Sequence, residues 1–84
     1  MFNIKYSKQA LKDKEKLSGS LYDNAKMLIE ILKNNPFENH PPYEKLTNRK
    51  DEYSRRINNK HRLWYAIDKK EKVVYILRMW THYE

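Results

Sequence analysis

Apolar and polar residues alternate through Phe2-Asn3-Ile4-Lys5-Tyr6, the pattern of a half-buried strand. Ser7 can then cap a first helix over about residues 8 to 17. This helix is short and highly charged, with Ala10, Leu11 and Leu17 as its apolar side, and Ser18-Gly19 ends it. Ser20 followed by Asp23 resembles a capping pair for a second helix, whose Leu21, Ala25, Leu28 and Leu32, with Ile29 alongside, make a core-facing stripe. Asn34-Asn35-Pro36 stops it. From Pro36 to Arg49 the chain is rich in Pro and Asn and predicts an extended loop crossing the sheet edge, with Glu44 on it. Three strands follow, at about 53 to 58, 61 to 68 and 73 to 80. Their short connections, Asn58-Asn59-Lys60 and Asp68-Lys69-Lys70-Glu71, predict an antiparallel meander. The sum is an α+β chain: an N-terminal strand, a two-helix hairpin and a meander, giving a sheet of four to five strands.

Strand parity sharpens this. Tyr53, Arg55 and Ile57 share one face, as do Leu63, Tyr65 and Ile67, and these are the faces that meet the helices. The opposite faces carry Ser54, Arg56 and Asn58 beside Arg62, Trp64 and Ala66. A three-residue loop places Arg56 directly across from Arg62, whereas a two-residue turn sends them to opposite faces. The odd loop is expected, because Asn tolerates the left-handed conformation it needs. Two like charges set opposite cost stability, so the pair asks for an anion such as a phosphate to bridge them. The plainer alternative is that each arginine snorkels or pairs with Asp51, Glu52 or Asp68.

Charge supports the anion. The 84 residues allow one domain with a thin core and one compact site, and they carry a formal net charge of +7. Seven basic residues between Lys45 and Arg62 stand against Asp51 and Glu52, a field that attracts polyanions. Lys8, Lys12, Lys14 and Lys16 read instead as a solvated helix face. Tyr53, Trp64, Tyr65, Tyr75, Trp80 and Tyr83 crowd the basic C-terminal half, and bases stack on any that are exposed. Cysteine is absent, which excludes disulfides, thiolate metal sites and thiol catalysis. Without a signal-peptide run or a stretch of about 20 apolar residues, the chain reads as soluble and cytoplasmic, with no membrane contact.

Cleaving RNA without a metal takes a base for the 2′-OH proton, an acid for the leaving 5′-oxygen, and cations around the phosphorus. Glu44 is the candidate base, if the arginines keep it ionised. His82 is the candidate acid. Arg56 and Arg62 would hold the phosphate, which Arg62 could grip bidentately, and Tyr83 could stack on a base or donate its hydroxyl. Taken singly these have bland readings: a solvated glutamate, and a surface histidine near the chain's end. His61 competes with His82, but parity sends it to the Leu63 face to hydrogen-bond at the core edge. His40 lies in the Pro-rich loop and reads as surface. Three histidines without ligand spacing predict neither metal nor cofactor.

At these residues the chain resembles the YoeB/Txe toxins of bacterial type II toxin-antitoxin modules, within the RelE-like superfamily. The resemblance covers nearly the whole length. It is carried by Tyr43-Glu44-Lys45-Leu46, Tyr53-Ser54-Arg55-Arg56-Ile57, His61-Arg62-Leu63-Trp64-Tyr65 and His82-Tyr83. It implies the RelE-like microbial RNase fold and a ribosome-dependent endonuclease that cuts mRNA in the 30S A site. The implied partner is a YefM/Axe-like antitoxin with an acidic C-terminal tail, operator DNA being reached only through that complex, and a homodimer is favoured. The residues matching Glu44, Arg62 and His82 are the family's base, phosphate-stabilising group and acid, supported by those matching Arg56 and Tyr83. Thr47 replaces the lysine of relatives, so either Lys45, Arg49 or Lys50 supplies that charge on the substrate face with Trp64 or the charge is absent. The segment from Leu46 to Tyr53 is slightly shorter than in relatives and the last hairpin slightly longer. Glu84 follows the family's closing tyrosine and puts negative charge beside His82, which would raise its pKa. The rival readings are a non-catalytic RNA- or DNA-binding module and a RelE-like protein-binding partner.

Overall fold

The computed structural model describes residues 1–39, 42–47 and 50–80. The N-terminal alternation forms strand β1, Asn3–Tyr6, with Ile4 and Tyr6 half-buried and Asn3 and Lys5 exposed. Ser7 caps α1, Lys8–Lys16, its hydroxyl accepting the Ala10 N–H at 3.0 Å. Helix α2 spans Gly19–Asn34 and so starts earlier than the Ser20/Asp23 pair suggested. The cause is Gly19, which at φ +58° reverses the chain left-handedly and makes Ser18 the cap residue, though without a side-chain hydrogen bond. Ala25, Leu28 and Leu32 are buried along α2 with Leu21 and Ile29 half-buried beside them, as the stripe predicted.

Four further strands complete a five-stranded sheet in the order β1-β5-β4-β3-β2. They are β2, Tyr43–Lys45; β3, Glu52–Arg56; β4, Arg62–Asp68; and β5, Val73–Trp80. The antiparallel meander β3-β4-β5 matches the expectation closely. The stretch read as loop yields β2, antiparallel to β3 with Tyr43 opposite Arg55. Three residues between prolines and asparagines are too few to show a period, and only the ladder with β3 makes them a strand. β1 joins the other edge, parallel to β5. Both helices cover one face, where Leu28 and Leu32 meet a core of Leu63, Tyr65, Ile67, Val74, Ile76 and Met79. Tyr53 stacks on Tyr65 at 5.9 Å between ring centres, with Phe37 and Tyr43 edge-on to Tyr53.

Helix α1 corrects the expectation about its inner side. Leu11 is 48% exposed and Asp13 only 1% exposed, because Ala10, Asp13 and Leu17 share the face that meets β5. Strand β1 ends at Tyr6 while β5 runs on, so the next β5 groups lack a ladder partner on that side. Helix α1 supplies it: the Ser7 N–H donates to the Ile76 carbonyl at 3.0 Å and the Ser7 hydroxyl to the Leu77 carbonyl at 2.9 Å. Asp13 Oδ2 accepts the Met79 N–H at 3.0 Å and Arg78 Nε at 2.8 Å, while Oδ1 accepts from Gln9 at 3.2 Å. Burial pushes the Asp13 carboxyl upward, but the hydrogen bonds from Arg78, Met79 and Gln9 and the Arg78 charge outweigh it and leave the pKa below its ordinary value. Leu77 is the odd residue of a bulge here, since Trp64 pairs with Arg78 and Tyr65 with Ile76.

Candidate active site

The sheet face away from the helices is built by parity and by the β3-β4 turn. Ile57 and Asn58 donate their N–H groups to the His61 carbonyl, closing a three-residue connection. Arg56 therefore stands directly opposite Arg62, as predicted. The reason differs from the one expected. None of Asn58, Asn59 and Lys60 is left-handed; instead the Asn58 side-chain oxygen accepts the N–H groups of Lys60 at 2.8 Å and His61 at 2.7 Å. The His61 ring contacts that same oxygen at 3.2 Å, so it belongs to the turn and not to the core edge.

Glu44 sits on β2, level with Ser54 on β3 and Trp64 on β4. Its Oε1 accepts a hydrogen bond from Arg62 Nη1 at 2.8 Å. The same Nη1 donates to Ser54 Oγ at 3.4 Å. The bond from Arg62, then its charge, then the charge of Arg56, hold the Glu44 carboxyl below the ordinary glutamate range. Arg62 thus has a carboxylate partner in Glu44. The anion that the opposed arginines call for is supplied by the chain's own candidate base. Trp64 lies beside this group and donates Nε1–H to Glu52 Oε1 at 2.9 Å.

Other predicted residues are placed apart. Lys45 is exposed, level with Tyr53 and so on the parity opposite to Glu44. Lys50 is exposed in the turn between β2 and β3. Arg49, His40, His82 and Tyr83 lie outside the described residues. Two contributors went unassigned in the sequence: Ser54, 2% exposed beneath Arg62, and Glu52, the partner of Trp64. Their parity with Arg56 was the available signal.

Arg55 points the other way and is 1% exposed. Its Nε donates to the Tyr65 hydroxyl at 3.0 Å, and its Nη2 to the carbonyls of Pro36 at 3.1 Å and Glu38 at 2.5 Å. Its guanidinium lies 5.2 Å from the centre of the Tyr43 ring. Burial raises the Tyr65 pKa against the opposing pull of Arg55. Among the described residues no group of three or more acidic, His or Cys side chains could hold a metal, and no helix is long and apolar enough to cross a membrane.

A basic α+β domain that holds an ionised carboxylate against opposed arginines on the sheet face away from its helices has the parts for general-base chemistry on a polyanion. Residues 6–83 match the YoeB-like toxins of bacterial type II toxin-antitoxin systems, and the chain belongs to that family. None of the curated proteins matches it. Among solved structures, the YoeB dimer of Staphylococcus aureus is 31% identical, with TM-score 0.82 over 98% of each chain. The YoeB-YefM complex of the same organism is also 31% identical, with TM-score 0.79 over 99% of each. The YoeB/ParE toxin of Agrobacterium tumefaciens shares the fold at 21% identity, with TM-score 0.86 over 98% of this chain and 100% of that one. The α+β fold is therefore that of the RelE/YoeB toxins.

Proposed function

We propose that the chain is a single-domain, ribosome-dependent mRNA endonuclease of the cytoplasm, the toxin of a module whose antitoxin restrains it. One observation carries the reading: Glu44 in contact with Arg62, itself opposite Arg56, on the sheet face away from the helices. A phosphodiester entering this face competes with Glu44 for Arg62 and releases the carboxylate. Glu44 then takes the 2′-OH proton, the oxygen attacks phosphorus, and the bond to the 5′-oxygen breaks to leave a 2′,3′-cyclic phosphate. Arg56 and Arg62 balance the charge that grows on the phosphoryl oxygens. His82 is assigned the proton delivered to the leaving oxygen, with Tyr83 supporting it; Trp64 offers a stacking face, and Lys45 and Lys50, set apart from the Glu44 face, are assigned with Arg49 to phosphates further along the strand. The partner that fits the positive Lys45–Arg62 segment is a YefM-like antitoxin with an acidic tail, consistent with the YoeB-YefM complex of the Staphylococcus relative. A homodimer is proposed on the same footing. Operator DNA is assigned to the complex only.

Toeprinting on translating ribosomes tests the reading. The wild type should cut mRNA in the A site, while Glu44→Ala and His82→Ala should still bind ribosomes but neither cut nor arrest growth. Growth arrest that survives both changes refutes the catalytic assignment. Cleavage of naked RNA equal to that on ribosomes refutes the ribosome requirement.

A further inference from the structure

We propose that Arg55 is a positioning residue for the candidate base: it clamps the loop entering β2 and so keeps the Glu44 carboxylate against Arg62. The consequence for turnover rests on the nuclease reading above, whereas the placement itself is testable without activity.

A buried guanidinium is costly to desolvate, and an aliphatic side chain would fill this part of the core without that cost. What an aliphatic side chain lacks is the arginine's fork of donors, which reaches partners in several directions at once. The fork here joins the Tyr65 hydroxyl of β4 to the Pro36 and Glu38 carbonyls of the loop after α2. It also underlies the ring of Tyr43, its direct ladder partner and the neighbour of Glu44. Strand β2 needs such an anchor. It is three residues long, lies at the sheet edge and pairs only with β3 among the described residues. A ladder that short is marginal alone. Arg55 fixes the strand from beneath, while Arg62, Arg56 and Ser54 face Glu44 from above. The two adjacent arginines of β3 thus divide the labour: Arg56 belongs to the anion face and Arg55 to the seat of the base.

The test is a carbon-13 NMR titration of the Glu44 carboxyl in the wild type, Arg55→Lys and Tyr43→Leu, with Arg62→Ala as the reference for a released carboxylate. Wild-type Glu44 should titrate below the ordinary glutamate value. Arg55→Lys should move the midpoint toward that of Arg62→Ala, and Tyr43→Leu should move it part of the way. Turnover of Arg55→Lys at pH 7 should fall about 10- to 100-fold, the scale of an ångström-sized misplacement, with RNA affinity no weaker than wild type. A folded Arg55→Lys whose Glu44 titrates as in the wild type overturns the proposal. If that variant does not fold, Tyr43→Leu, at a half-buried edge position, decides alone: a wild-type midpoint there also overturns it. Wild-type cleavage by Glu44→Ala would sink the assignment of Glu44 as base, and no cleavage by the wild type would sink the nuclease reading; both leave the titration result standing, so the failures are distinguishable.

Discussion

Replacing Asp13 by alanine removes at one stroke the acceptor for the Met79 N–H and the partner of Arg78. Leaving a buried donor unpaired costs about 1–3 kcal/mol, and breaking a buried ion pair from one side about 3–5 kcal/mol. Arg78 retains 32% side-chain exposure and can rehydrate, so the lower end applies, about 3 kcal/mol. For a domain of this size each kcal/mol lowers the melting point by roughly 4–8 °C, giving a fall of about 12–24 °C. Asp13→Asn keeps an oxygen for Met79 and loses the charge, so its fall should be about half as large. Because the folded-state pKa of Asp13 lies below its unfolded value, the contribution of its charge is fully present above the unfolded pKa of about 3.9 and is lost as pH falls through the folded pKa. The stability gap between wild type and Asp13→Asn should therefore stay constant from pH 7 to pH 5 and close below about pH 4. Circular-dichroism melts and urea titrations across that range measure it. An Asp13→Ala protein melting within about 4 °C of wild type at pH 7 would show that α1 does not hold the β5 edge as argued.

Three further outcomes follow from the site and the first helix. Glu44→Gln removes the negative charge that occupies Arg62, so it should bind a short RNA more tightly by fluorescence anisotropy while cleaving about 100- to 10,000-fold more slowly; weaker binding would contradict the competition between Glu44 and phosphate. Since the Glu44 pKa is lowered, its basic form persists in acid, and the acid limb of kcat/KM should lie below the ordinary glutamate value of about 4.3. A limb near pH 6 in a pH–rate profile would point to another base. Ser7→Ala loses the α1 cap and the bond to the Leu77 carbonyl, and urea unfolding should report a loss of about 1–2 kcal/mol.

What the sequence made legible was local. Parity and loop length sufficed to set Arg56 opposite Arg62, and the heptad-like spacing of Leu21, Ala25, Leu28 and Leu32 sufficed to orient α2. Glu44 was read as a candidate base beside arginines, but its strand was not seen, because β2 exists only through its pairing with β3. Asp13 read as one more charge on a lysine-rich helix, since the groups that justify its burial lie 65 and 66 residues further along the chain. Arg55 was correctly turned inward by parity; that it reaches back to carbonyls 17 and 19 residues earlier was invisible to any periodic pattern.

The parallel pairing of β1 with β5 has a consequence for the order in which the molecule can be assembled. The Ser7 hydroxyl and the Leu77 carbonyl are 70 residues apart in sequence. At roughly 5–20 residues per second, a ribosome takes about 4 to 14 s to make that interval. Throughout it, β1 has no strand to pair with and Asp13 has neither Arg78 nor Met79, whereas the β2-β3-β4 hairpins need only near neighbours and can form as they emerge. A nascent chain can therefore carry its cationic sheet surface before its architecture is closed. Closure waits on β5, the strand that both terminal-edge pairing and the first helix require.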